Sequence, residues 1–227
     1  MASFKTIQEY EEAKQEWMQV PHSAYIQSTG KCVQMIGTER LIFEDTLVSQ
    51  IIGPTTYNAV GKIDNLNQRF RNSEIAHFKE FRHFKCILDI EEKAFENCTA
   101  LEEIYLPEYV YTIGNHAFSH CTSLENIKLQ GYVEVIGESG FSNCTQLCII
   151  ELPYSVLSIR DYAFYNCQSL EEIDMKPLYP PYIENETLFR GCECLRAINI
   201  WPAAIDRYCK HPVWSKFKSL FKAKEMR

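Results

Sequence analysis

The residues able to do chemistry here are ten cysteines, a close histidine pair and several adjacent carboxylates. Cys32, Cys86, Cys148, Cys194 and Cys209 fall in no spaced quartet of the kind that holds zinc. Cys98, Cys121, Cys144, Cys167 and Cys192 recur at nearly equal intervals, so their spacing reports an architecture before it reports a reaction. His116 and His120, beside Cys121, have the i, i+4 spacing that can hold zinc on a helix. No acidic third ligand is dictated nearby, and the pair reads as two surface histidines. Glu102–Glu103 and Glu171–Glu172 lie where strands are expected. Neighbouring strand residues point to opposite faces, so these pairs are poor general acid/base candidates. No G-x-S-x-G, H-E-x-x-H, phosphate-binding glycine loop or nicotinamide fingerprint occurs. The reading is therefore not an enzyme, with no metal and no cofactor implied. Asn97-Cys98-Thr99, Asn143-Cys144-Thr145 and Asn185-Glu186-Thr187 match a glycosylation acceptor, but the first two arise from the repeat itself.

That repeat sets where everything else must sit. Phe95, Phe118, Phe141 and Phe164 recur every 23 residues. Each is followed three residues on by a column cysteine and three further on by Leu101, Leu124, Leu147 or Leu170. Five residues before each phenylalanine lies Ile90, Ile113, Ile136 or Ile159. A fifth, longer copy carries Ile183, Phe189, Cys192 and Leu195. The period lies in the leucine-rich-repeat range of about 20–29 residues. Ile104 and Leu106 alternate with Tyr105, as in a short half-buried strand, and Pro107, Pro153 and Pro202 end three of these strands because proline has no N–H to donate. A second extended piece places Val110, Val133 and Val156 inward. The small column Ala94, Ala117, Gly140 and Ala163, broken by Leu188, predicts close backbone packing. Asn97, His120, Asn143, Asn166 and Gly191 are types that tolerate a left-handed backbone and are expected to cap each turn. Stacking would turn the columns into continuous ladders, with the thiols packed as small hydrophobes, reduced and buried.

The pattern I-x-x-x-A-F-x-N-C-x-x-L-x-x-I-x-L-P, seen in IGNHAFSHCTSLENIKL from Ile113 and IRDYAFYNCQSLEEIDM from Ile159, resembles BspA-like leucine-rich repeats over about residues 87–202. The resemblance implies a repeat solenoid, a β-rich α/β horseshoe with a helical C-terminal cap. It also points to bacteria of the gut and mouth and to some protists, where such proteins are often surface proteins that bind host or partner macromolecules.

Three segments are expected: an N-terminal cap at 1–86 with one or two degenerate coils or a small separate domain, five repeats at 87–202, and a C-terminal cap at 203–227. Thr6 and Glu9 fit a capping box opening a helix to about Trp17. SAYIQSTGKCVQMI, RLIFED and the stretch around 77–90 read as strands. Val213, Trp214, Phe217, Leu220 and Phe221 fall at helical spacing and predict one helix closing the last coil. The lysines at 216, 218, 222 and 224 read as its solvated face. WPAAIDRYCKHPVWSKF also resembles the closing segment of BspA-like proteins.

The net charge of −7 argues against a nucleic-acid partner, and no run of apolar residues is long enough for membrane insertion. No signal peptide is visible, which reads as cytoplasmic unless a signal was removed, with a cell-surface or secreted location as the alternative. The function expected is protein binding by the outward strand positions: Glu103 and Tyr105, Asn126 and Lys128, Ile149 and Glu151, Glu172 and Asp174, then Ala197 and Asn199. Tyr105 and Ile149 are the candidate anchors. The loop Leu178-Tyr179-Pro180-Pro181-Tyr182 is a second candidate, or else packs on the cap. A surface adhesin is one form of this reading. A structural repeat for assembly or self-association is the alternative.

Overall fold

The computed structural model describes residues 40–129 and 132–225. The capping box at Thr6, its helix, the strand expected at 23–36 and Cys32 lie outside them. Strands β1 (Arg40–Leu41) and β2 (Thr55–Thr56) pair antiparallel around helix α1 (Thr46–Ile52), and α2 (Tyr57–Val60) follows. Next come β3 (His77–Phe78), β4 (Asp89–Ile90), β5 (Glu103–Tyr105), β6 (Thr112–Ile113), β7 (Asn126–Lys128), β8 (Val135–Ile136), β9 (Ile149–Leu152), β10 (Ser158–Ile159), β11 (Glu172–Met175) and β12 (Ala197–Ile200). Helix α3 (Ile205–Lys210), a 3-10 helix at Trp214–Leu220 and β13 (Phe221–Ala223) close the chain. These form two parallel sheets, ordered β13-β12-β11-β9-β7-β5-β3 and β10-β8-β6-β4. This is the solenoid expected from the columns, and its strand sheet extends one strand beyond the five copies at each end.

Between the sheets runs the phenylalanine ladder. Phe95, Phe118, Phe141 and Phe164 are fully buried, with successive ring centroids 5.1, 5.3 and 5.6 Å apart and planes within 3° of parallel. Phe70 extends the stack at 5.4 Å and Phe189 at 5.9 Å. Ala94, Ala117, Gly140 and Ala163 are buried beside it. At Gly140 a Cβ would lie 3.2 Å from both the Gly137 carbonyl oxygen and Ile136 Cγ2, tighter than most real contacts.

Backbone hydrogen bonds tie each turn to the next. Lys93, Phe95 and Asn97 donate their N–H groups to the carbonyls of Asn115, Ala117 and Ser119 one coil on, while Ala94, Glu96 and Cys98 donate to the residue three before. His116, Phe118 and His120 repeat the pattern onto Glu138, Gly140 and Ser142. Alternate donors must therefore point out of the turn plane, which demands left-handed residues. The expected column has them: φ is 60° at Asn97, 62° at His120, 60° at Asn143, 57° at Asn166 and 84° at Gly191. A second column, four residues earlier, was not expected: φ is 60° at Lys93, 55° at His116, 53° at Ser139 and 57° at Tyr162. A left-handed non-glycine residue costs roughly 1–2 kcal/mol, a cost offset here by the cross-coil hydrogen bond each position makes possible. Asn166 Nδ2 also donates to Asn143 Oδ1 at 2.8 Å, and Asn97 Nδ2 to Asn72 Oδ1 at 2.9 Å.

The column cysteines are free. They do more than fill space: each thiol donates to the carbonyl of the ladder phenylalanine in the preceding coil. Cys98 donates to Phe70 at 2.9 Å, Cys121 to Phe95 at 3.2 Å, Cys144 to Phe118 and Cys167 to Phe141 at 3.1 Å, and Cys192 to Phe164 at 3.0 Å. Burial pushes the Cys144 thiol up to about 12 and raises Cys121 as well. Both are thus protonated donors at neutral pH, in the state least reactive toward electrophiles.

Two sequence expectations are corrected. Residues 77–90 are not one strand but β3, a 3-10 helix at Lys79–His83 and β4. Phe78, Phe81, Phe84, Ile87 and Ile90 recur every third residue and are all buried, a three-residue period that suits 3-10 turns. The C-terminal segment is likewise not one helix. Trp214, Phe217 and Leu220 keep a period of three along the 3-10 helix, and Phe221 leaves it to pair in β13 with Ile198. Trp214 and Tyr208 are fully buried, and Phe217 meets Phe189 edge-on at 5.3 Å, so this segment covers the end of the ladder. Lys216 and Lys224 are not simply solvated. They pair with Glu186 at 2.6 Å and Asp174 at 2.8 Å.

At the opposite end Asp45 supplies the acceptor that a preceding coil would have given. Its carboxylate caps α1 through Leu47 N–H at 2.7 Å and also accepts from Ala76 at 2.7 Å and His77 at 3.2 Å, at the free edge of the strand sheet. Burial works to raise its pKa, but the backbone donors outweigh it and hold the carboxyl below its usual value.

Two outcomes are expected. Alkylation of the native protein will modify Cys148 and Cys194, which are exposed, while Cys121 and Cys144 react only after unfolding, as read by mass spectrometry. Fast native labelling of Cys144 would contradict the donor role. Trp214→Ala will cost roughly 3 kcal/mol, the order typical of large aromatic deletions, and removal of residues from 203 onward will lower the melting temperature and bring concentration-dependent aggregation. An unchanged melting temperature for the truncated chain would make the segment dispensable.

Candidate functional site

Parallel pairing without register slip builds the outward face of the strand sheet. Glu103, Asn126, Ile149, Glu172 and Ala197 form one row, and Tyr105, Lys128, Glu151, Asp174 and Asn199 a second. The structure thus brings the expected strip residues together, but it does not expose them equally.

Asn126, Lys128 and Ile149 are open to solvent, Ile149 by 50%. Glu103, Tyr105, Glu151, Glu172 and Asp174 are half-buried. Ala197 and Asn199, expected on the exposed strip, are buried. The reason is β13, which returns alongside β12 and sets Lys222 opposite Asn199. No local pattern around Asn199 announces a strand arriving from more than twenty residues on.

Electrostatics also divides the face. Near its start Lys79 lies 3.1 Å from Glu103 and 3.5 Å from Glu44, and the Arg82 guanidinium sits 5.5 Å over the Tyr105 ring. The Tyr105 hydroxyl first, and Lys79 second, hold the Glu103 carboxyl below its usual range. Near its end Asn199 Nδ2 donates to Asp174 at 2.6 Å and Glu172 at 3.0 Å, and Lys224 donates to Asp174 at 2.8 Å. Lys176 pairs with Glu151 at 2.8 Å. These pairs are partly exposed, and whatever they add to stability, they occupy the carboxylates. The side chains of Asn126 and Lys128 make no polar contact among the described residues, and with Ile149 they form the unoccupied middle of the face.

The other candidates resolve differently. His116 and His120 lie on left-handed turn positions, so the helical zinc geometry does not arise. Among the described residues no three histidines, cysteines or carboxylates are grouped to hold a metal ion, and no helix is long and apolar enough to cross a membrane. The proline-rich loop packs on the C-terminal segment. Tyr208 O–H donates to the Pro177 carbonyl at 2.9 Å, Trp214 Nε1–H to Pro181 at 2.7 Å, and Arg207 lies 4.7 Å over the exposed Tyr179 ring.

Sequence reasoning confined to the strands missed the bends that follow them. Tyr109 and Tyr132, 23 residues apart, lie there with ring centroids 5.4 Å apart. Tyr154 and Trp201 lie on the same edge, stacked at 6.4 Å. The signal was present as an aromatic column at 109 and 132, four residues beyond the outward strand positions 105 and 128.

Comparison with known proteins bears on this architecture. No curated protein sequence matches the chain. Solved structures resemble part of it, among them the following three. A leucine-rich repeat protein from Bacteroides ovatus is 36% identical over 51% of this chain, with a TM-score of 0.46. A leucine-rich repeat protein from T. pallidum is 30% identical over 54%, with a TM-score of 0.43. A leucine-rich cell surface protein from Faecalibacterium prausnitzii is 25% identical over 62%, with a TM-score of 0.47. The matches span only 30%, 61% and 34% of those chains in turn. The family model described as BspA type leucine rich repeat region matches residues 88–209 in six copies, and the chain belongs to that family.

Proposed function

We propose that this chain is a non-catalytic protein-binding module that recognises its partner with the middle of the strand face. Leucine-rich repeats are in general protein-interaction modules, and a rigid solenoid with variable outward residues is suited to that role. The observation that carries the reading is Ile149, half exposed on β9 directly opposite Asn126, with Lys128 two residues further along the same neighbouring strand. A branched apolar side chain held open on a rigid surface gains from burial under a partner, and polar neighbours with no internal contact are available to it. Glu103, Tyr105, Glu151, Glu172 and Asp174 would form the rim and set charge complementarity. Asn199 falls outside this surface because it is buried. On this reading residues 1–86 and 203–227 serve as caps of the repeat array at 87–202, and a host-interaction or adhesin role is the form a surface location would give it.

The test compares immobilised wild-type chain with Ile149→Arg, Lys128→Glu and a turn-side control, Tyr165→Ala. Partners would be captured from a panel of purified extracellular-matrix and cell-surface proteins. The expected result is one protein held by wild type and control but lost by at least about tenfold in both face variants, as for a central anchor, with melting temperatures unchanged. Equal capture by all four would remove the strand face from the reading. Concentration-dependent dimerisation lost in the same two variants would favour self-association instead.

A further inference from the structure

The two ends of the strand sheet are finished differently. At the β3 end the N–H groups of Ala76 and His77 are taken by the Asp45 carboxylate. At the other end the last strand is β13, and no described residue pairs with its outer side. Lys224 donates its N–H to the Ile200 carbonyl, toward β12. Successive residues of a strand turn their backbone groups to opposite sides. The N–H and C=O of Ala223 therefore point away from the sheet, and neither makes a backbone hydrogen bond with a described residue. Ala223 is itself exposed, so nothing among the described residues covers this donor and acceptor.

The side chains along this edge have a definite chemistry. On the outward face Lys222 continues the row of Lys128, Glu151, Asp174 and Asn199. Lys224 is held by Asp174. Lys222 is exposed, as is Lys218 in the 3-10 helix that leads into β13, and neither forms an ion pair among the described residues. On the opposite face Phe221 is half-buried, meeting the Tyr208 ring at 6.1 Å, and Ala223 lies open two residues on. Residues 203–227 carry seven lysines and arginines against two carboxylates, in a chain that has 23 against 30 overall. The free edge is thus basic on one side and apolar on the other, at the basic end of an acidic molecule.

We propose that the outer edge of β13 takes up an extended acidic peptide as one further strand of the sheet, with acidic and apolar residues alternating along it. This surface is separate from the one centred on Ile149, whose strand β9 lies three places along the sheet. Main-chain hydrogen bonds to the N–H and C=O of Ala223 hold the peptide, as in other cases where a strand is added to a sheet edge. The alternation follows from the period of two in a strand. Residues on the outward face meet Lys222 and call for carboxylates. Residues on the other face cover Phe221 and Ala223 and call for apolar side chains. Lysine on an edge strand also discourages pairing with the wrong partner. Two copies of this chain paired antiparallel about Ala223 set Lys222 of each opposite Lys224 of the other, and like charges directly opposite are destabilising. An acidic strand meets no such repulsion, so the charge selects a different chain over a second copy.

The test is fluorescence anisotropy of the full chain with a labelled synthetic peptide alternating glutamate and valine. Comparison peptides carry lysine for each glutamate, or N-methyl groups on every glutamate or on every valine, and heparin serves as a competing polyanion. The expected result is saturable binding of the glutamate peptide that weakens with added salt, and none of the lysine peptide. N-methylation of one alternate set abolishes binding and that of the other does not, because only one set turns its N–H toward β13. Lys222→Glu weakens binding at least about tenfold, and so does Ala223→Pro, the order expected when a hydrogen-bonding group loses its partner. Proline is tolerated on an edge strand where the N–H faces solvent, so the melting temperatures of Ala223→Pro and Lys222→Glu stay at the wild-type value. Lys128→Glu, in the middle of the strand face, leaves peptide binding unchanged. No binding of the glutamate peptide, or equal binding of the unmodified and both N-methylated peptides, would overturn the proposal. So would binding that heparin displaces but Ala223→Pro does not affect, which would make the lysines a general polyanion site.

Discussion

The structure depends on one constraint: each turn must donate alternate backbone N–H groups to the carbonyls of the next. Phe95 to Ala117, Phe118 to Gly140 and Phe141 to Ala163 are the same bond, each 2.8 Å long. It can recur only if successive coils have the same shape, and that requirement generates the columns. A phenylalanine between two donating positions must stack on its equivalent. The residue before it must be small, because the neighbouring coil is already in contact. The residue three later must be short and able to donate, and cysteine meets both needs by filling the gap and bonding the phenylalanine carbonyl one coil back. Stability here is therefore a property of neighbours, as expected for a quasi-one-dimensional array.

Much of this could be read from residue types. The phenylalanine, cysteine, leucine and isoleucine columns fixed coil, period and stacking, and Asn97, Asn143 and Asn166 announced the left-handed turn because asparagine tolerates that backbone. Lys93, Ser139 and Tyr162 did not, because lysine, serine and tyrosine have no such preference. Their conformation is imposed by the neighbouring coil and leaves no local trace. The period errors have a similar origin. Phe78, Phe81 and Phe84, like Trp214, Phe217 and Leu220, are spaced by three, which over a short run resembles a strand or an α-helical stripe as readily as a 3-10 turn. The outward strand residues were placed correctly, but their exposure was not. Asn199 is buried by a strand that returns from the C-terminal segment, and the carboxylates at both ends of the face are occupied by lysines and arginines from other coils. Those are long-range facts.

The same repetition explains why exposed side chains fall on fixed lines of this molecule. A coil that must repeat leaves only a few positions free to vary, and stacking aligns each of them into a row. The strand face and the edge of the bends are two such rows of opposite character. One is ionic at its ends and open at Ile149. The other is aromatic, with the Trp201 indole stacked on Tyr154. Both rest on the phenylalanine and cysteine ladders.

The most direct test of this account is native-state hydrogen exchange of wild type and Phe141→Ala, read by mass spectrometry on peptides from each coil. If coils are held by their neighbours, the coils of Phe118, Phe141 and Phe164 exchange with a common opening free energy in the wild type. Phe141→Ala then lowers protection in all three together, by an amount on the order of 3–5 kcal/mol. Loss of protection confined to the Phe141 coil, with its neighbours unchanged, would contradict the account.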